Sequence, residues 1–118
     1  MRAEDWQRVR RLLAVRLDNI GDVVMLTPAL RSLRRALPEA HIALLASPAG
    51  AGVAPLIPWL DQTLVLRALW QDTRGALPFD PARELALTAD LCALGFDAAL
   101  VFTSFSQSPF PPAYLCYL

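Results

Sequence analysis

The 118-residue chain contains no lysine; all eleven of its basic residues are arginine. That absence excludes a P-loop nucleotidase, whose phosphate cradle needs a lysine. It also argues against a phospho-receiver domain, which carries a lysine after its fifth strand and an acceptor aspartate at the end of its third. Here Leu64-Val65-Leu66-Arg67 supplies no such aspartate. Glycine is scarce as well, with five in the chain and only Gly21 in the first loop. A dinucleotide-binding fingerprint needs three at fixed spacing, so a dehydrogenase reading loses its main support. The two cysteines, Cys92 and Cys116, and the one histidine, His41, show no metal-ligand spacing. No metal site is expected, and both thiols are expected to be free and buried. No stretch approaches the ~18 to 20 apolar residues that span a bilayer. Charged residues run through the first eleven positions and only Leu12 to Val15 is apolar, so there is no signal-peptide core. The default compartment is the cytoplasm.

What the chain does have is apolar content. Hydrophobic residues make up 55% of it, which excludes a disordered chain, because enough surface can be buried to offset ordering entropy. The length suits one domain, residues 1–118. The net charge is zero but unevenly spread. Residues 1–35 hold eight arginines and four acids; residues 36–118 hold three arginines and seven acids. Nucleic acid is not an expected partner, since neither total charge nor aromatic interleaving supports it.

Short apolar runs predict four strands: Leu12 to Leu17, His41 to Leu45, Gln62 to Leu66 and Ala98 to Phe102. Between the first two, apolar positions 23, 24, 26, 30, 33 and 37 recur at helical spacing, with Arg31, Arg34 and Arg35 opposite. Thr27-Pro28 reads as a cap and first-turn proline inside that span, which predicts a kinked helix or a single turn followed by a longer one. Residues 46–52 read as a loop, and 53–60 as at most a short helix. Residues 67–80 read as irregular. A helix is predicted over Pro81 to Leu94, capped by Asp80, closed by Gly95, and buried through Leu85, Thr88, Ala89 and Cys92. Residues 103–112 read as a Ser/Pro loop, with a further helix from Ala113. Strands alternating with helices mean an α/β fold with a parallel sheet and helices on both faces. The chain stops within the apolar run Ala113 to Leu118, which reads as a truncated chain.

Ligands of open parallel sheets sit at the carboxyl ends of the strands. Three loops qualify: 18–22, 46–52 and 103–110. In the first, Gly21 is expected to permit a sharp turn and close approach of a partner. Asp22 follows at a helix start, where it can serve as an N-cap or as a base that accepts a proton from a hydroxyl. In the last, Thr103 and Ser104 open a hydroxyl cluster that can grip a polyol or can simply make turns.

The run from Leu13 to Pro38, LAVRLDNIGDVVMLTPALRSLRRALP, resembles the start of glycosyltransferase family 9, the heptosyltransferases of lipopolysaccharide synthesis and their relatives. Ser108 to Leu118 looks like a later stretch of the same family, and residues 46–100 match in general layout. The resemblance implies the N-terminal, acceptor-side half of a two-domain, B-type fold made of two Rossmann-like halves. It implies an inverting transfer in which Asp22 is the general base, without a metal or cofactor. Arg16 could then meet an anionic acceptor; with the loop residues Gly21, Asn19, Thr103 and Ser104 it makes up the expected substrate-binding set. Members often carry serine or threonine where this chain has Asp18-Asn19. The partners implied are a glycan or glycolipid acceptor and a nucleotide-sugar donor resembling ADP-heptose. The donor would bind the absent second domain, so this chain alone would lack activity. Peripheral contact with the inner face of the membrane fits such an acceptor. Two readings compete with it: a non-catalytic binding module of the same fold, and an inactive fragment.

Overall fold

In a computed structural model, residues 2–72 and 74–118 are described. A single turn of helix, α1 (Ala3–Trp6), precedes strand β1 (Arg11–Arg16). Helices α2 (Ile20–Met25) and α3 (Thr27–Ala36) lead to β2 (His41–Ala46), and α4 (Pro48–Ala51) leads towards β3 (Gln62–Val65). Helix α5 (Pro81–Ala93), strand β4 (Ala98–Val101) and helix α6 (Phe110–Tyr117) complete the described elements. Among them, no helix is long and apolar enough to cross a membrane.

All three strand pairings are parallel, in the order β3-β2-β1-β4. The four expected strands are present, each within a residue or so of its anticipated ends. Strand β1 is paired on both sides and buried on both faces, which its unbroken Leu12-Leu13-Ala14-Val15 run demands. Alternation along the strands divides the core. Ala14, Leu44 and Ala46 pack against Val23, Leu26 and Leu30 from α2 and α3. Leu13, Val15, Ala43 and Leu45 face the other way, towards Leu87 of α5 and Leu115 of α6. Helices therefore cover both faces, as the alternating pattern predicts.

The span over residues 20–36 breaks at Leu26, giving the short and long helices anticipated from Pro28. Thr27 is not the cap, however. It is helical, and its hydroxyl donates back to the Val24 carbonyl at 2.6 Å. Residues 48–51 form a helical turn where a plain loop was expected, because Ser47 caps it by accepting the Gly50 N–H. Asp80 caps α5 as expected, and Gly95 closes it with φ +66°. Of the four residues expected on the buried face of α5, only Thr88 is turned inwards. Leu85, Ala89 and Cys92 are exposed, whereas Leu87, Thr88, Leu91 and Leu94 turn inwards. Helix α6 begins at Phe110, three residues early, on a proline-rich first turn. Both thiols are free, but Cys92 is exposed and Cys116 half-buried; burial pushes the Cys116 thiol above its ordinary value. Within the irregular 67–80 segment a 3-10 turn forms at Leu69–Gln71, and Thr73 lies outside the described residues.

Candidate functional site

The chain leaves β1 for β2 on one side and returns as β4 on the other. The carboxyl ends of β1 and β4 are thus the point where connections diverge, and parallel sheets open a crevice there. A cleft of about 800 Å3 occupies this place. It is lined by Asp18 and Asn19 after β1, by Ser47 after β2, and by Phe102 and Thr103 after β4. Trp70 and Gln107 border it from the longer loops.

Local chemistry explains why the first loop holds its shape. Asn19 has extended backbone and starts α2, so the cap is Asn19 and Asp22 is the third helical residue. This corrects the expectation of a five-residue loop with Asp22 as cap. The Asn19 N–H donates to Asp22 Oδ2 at 3.1 Å, the carboxylate arm of a capping box. Gly21 has no left-handed backbone angle, so it does not make the expected sharp turn. A methyl group added there would meet nothing within 4 Å. The close approach belongs to Gly50 instead, where an added Cβ would lie 2.7 Å from Val23 Cγ2. That contact seats α4 on α2, and the Ser47 hydroxyl donates to the Asp18 carbonyl at 2.6 Å. The second loop is thereby tied to the first.

Arg16, the last residue of β1, reaches two carboxylates. Its Nη2 lies 3.2 Å from Asp22 Oδ1, and its Nε lies 2.8 Å from Asp18 Oδ2. The short contact to Asp18 is a meeting of charges without hydrogen-bond alignment. Among the described residues, Arg16 Nε and both Asp18 side-chain oxygens have no hydrogen-bond partner. The two aspartates consequently differ. The Asp22 side chain is 34% exposed and held through both oxygens. The Asp18 side chain is only 6% exposed and held by charge alone.

Of the residues expected at the site, Asn19 and Thr103 line the cleft. Arg16 lies behind it, engaged with the two aspartates rather than free for a ligand. Gly21 and Asp22 are outside the lining, in the first turn of α2 that follows Asn19, with Gly21 exposed. Ser104 is half-buried outside the lining, its hydroxyl 3.2 Å from that of Ser106. Sequence reasoning missed Ser47, Phe102 and Trp70. The Ser47-Pro48 pair does carry a readable cap signature, whereas Trp70 sits in a segment without periodicity.

No family model matches the chain, and no curated protein matches it. Among solved structures, it is similar to the glycosyl transferase family 9 protein from Veillonella parvula, with a TM-score of 0.69 and 22% identity. The match covers 92% of this chain but 29% of the other. The chain therefore spans less than a third of that protein's length. It shares the α/β, Rossmann-like layout of that part, with a four-stranded parallel sheet.

Proposed function

We infer that the chain is the acceptor-side half of an inverting sugar transferase. In this reading a heptose-like sugar passes from a nucleotide sugar to a lipopolysaccharide-type or other glycan hydroxyl, with Asp22 as general base. One observation supports it: Gly21-Asp22 lies in the first turn of α2, directly after the cleft-lining Asp18-Asn19, in a fold shared over 92% of the chain with a glycosyl transferase family 9 structure.

The chemistry follows from the arrangement of Asp22. Its carboxylate is partly open to solvent, so an acceptor hydroxyl can reach it. Arg16 and the Asn19 N–H restrict its rotation while leaving lone pairs on both oxygens. The carboxylate takes the hydroxyl proton as the acceptor oxygen attacks the anomeric carbon. The bond from that carbon to the diphosphate oxygen breaks on the opposite face, which inverts the centre. Asp22 is not part of the cleft lining, so the sugar would be presented from outside the cleft, by a second domain that binds the nucleotide. Asn19 and Thr103 are suited to hold the acceptor. A cytoplasmic location follows from the substrates this reading names.

Replacing Asp22 by alanine in the full-length enzyme should lower turnover by ~100-fold or more while donor binding is kept, as loss of a general base implies. Unchanged turnover would remove Asp22 from the mechanism.

A further inference from the structure

Among the described residues, the Asp18 carboxylate and the Arg16 Nε facing it are buried without hydrogen bonds. The Asp18 side chain is 94% buried by the 6% exposure above, it belongs to the cleft lining, and neither oxygen has a hydrogen bond. A carboxylate withdrawn from water needs both charge compensation and hydrogen bonds. Arg16 supplies the first at 2.8 Å. The second is absent, and buried carboxylates without hydrogen-bond donors call for a functional explanation.

We propose that Asp18 is the anchoring acceptor of a carbohydrate subsite, its oxygens taking two adjacent hydroxyls of a neutral sugar ring that enters the cleft. Asp18 already has a cation beside it, although Arg16 is shared with Asp22 at 3.2 Å; what Asp18 lacks is hydrogen-bond donors, and sugar hydroxyls are neutral donors. The surroundings have the same character. Asn19, Ser47, Thr103 and Gln107 offer amide and hydroxyl groups, and Trp70 and Phe102 offer flat apolar surface for the C–H face of a ring. The oxygens are shielded from solvent, so a sugar reaches them only when the loop after β1 shifts. The proposal deepens the acceptor reading and rests on it for the class of substrate. Asp18 would bind, whereas Asp22 would move the proton.

The test is a titration of the isotopically labelled 118-residue chain with the methyl glycosides of glucose, galactose and mannose. Each is taken to roughly 100 mM, enough to saturate a millimolar site. Backbone amides of Ser47 and Thr103 and the side-chain carboxyl carbon of Asp18 are followed by NMR. With at least one sugar, the amides and the carboxyl carbon should saturate on one curve, and Asp18→Asn should bind about tenfold more weakly or worse. The carboxyl carbon is read in the unaltered chain, so the result stands even if the variant does not fold. If the cleft amides saturate while the Asp18 carbon is silent and the variant binds equally, the anchor is wrong and the acceptor cleft survives. If no cleft amide responds to any sugar, the anchor and the acceptor reading fall together.

Discussion

The two ends of the sheet treat aspartate differently. At the amino end, Asp97 precedes β4 and accepts the N–H groups of Arg10 and Arg11 at 2.7 and 2.9 Å. Its own N–H donates to the Arg11 carbonyl at 2.8 Å. Asp61 precedes β3 and repeats the device. It accepts the Ile42 N–H at 2.8 Å, donates its N–H to the Ile42 carbonyl at 2.8 Å, and pairs with Arg34 at 2.6 Å. Each clamps the start of its strand to the neighbouring strand. At the carboxyl end, the Asp18 carboxylate has no hydrogen bond among the described residues, and Asp22 stands partly open. At one end both carboxylates complete the backbone; at the other only Asp22 does, through the Asn19 N–H, and the Asp18 carboxylate meets Arg16 alone. The clamps tie strand starts at the first end; the proposed chemistry belongs to the second.

The clamps alter proton affinity. For Asp97, the Arg10 and Arg11 N–H groups outweigh a small burial effect and hold the carboxyl below its ordinary value. For Asp61, partial burial pushes upwards, but the Ile42 N–H and the bond and charge of Arg34 prevail and pull it down.

Breaking the amino end should have the larger effect on folding. Arg34 spans the Ala40 and Trp59 carbonyls as well as Asp61. Arg34→Ala should cost about 2 kcal/mol, because charged donors are removed from half-buried acceptors. Urea unfolding with an unchanged m-value would measure it, and a loss below about 0.5 kcal/mol would put Arg34 among ordinary surface residues. Acid should act next. Both clamp carboxyls sit lower in the folded chain than the ordinary 3.8, so the folded state binds fewer protons. Their stabilisation is complete above that value and is lost as pH falls through the lower folded values. The urea midpoint should drop in that window, and the Asp61→Asn/Asp97→Asn double variant should drop less steeply from a lower plateau. An identical acid slope in the two proteins would show that the clamps do not set it. The smallest change belongs to the carboxyl end. Gly21→Ala should leave stability unchanged or raise it by about 0.5–1 kcal/mol, since the site is helical, exposed and unobstructed. Weakened acceptor binding in that variant, with its fold intact, would locate a ligand against Gly21.

These two ends were unequally legible from residues alone. Strands β1 and β2 are continuous apolar runs bounded by charge, and such runs have one comfortable place, the middle of a parallel sheet. The loop after β1 was visible through Gly21-Asp22, although the capping role falls to Asn19 because the helix starts earlier. The clamps were not legible. Asp61 and Asp97 look like turn residues, and their partners lie 19 to 87 positions away. The buried face of α5 was misread for a related reason. Leu85, Leu87, Leu91, Leu94 and Cys92 ring much of that helix, so periodicity selects no single stripe. Only the sheet decides which side turns inwards, and β4 leaves several of these groups in solvent. The freedom of Asp18 was invisible too, because a missing hydrogen bond has no sequence pattern.

The strand order also dictates when the cleft can exist. Strand β1 meets β2 across about thirty residues of chain, but its other neighbour, β4, lies nearly ninety residues downstream of it. Closing so long a connection is slow compared with local pairing. The half of the crevice made by residues 18 and 47 can therefore form while the wall at Phe102 and Thr103 is still unfolded, and ligand binding becomes a reporter of the last event in folding.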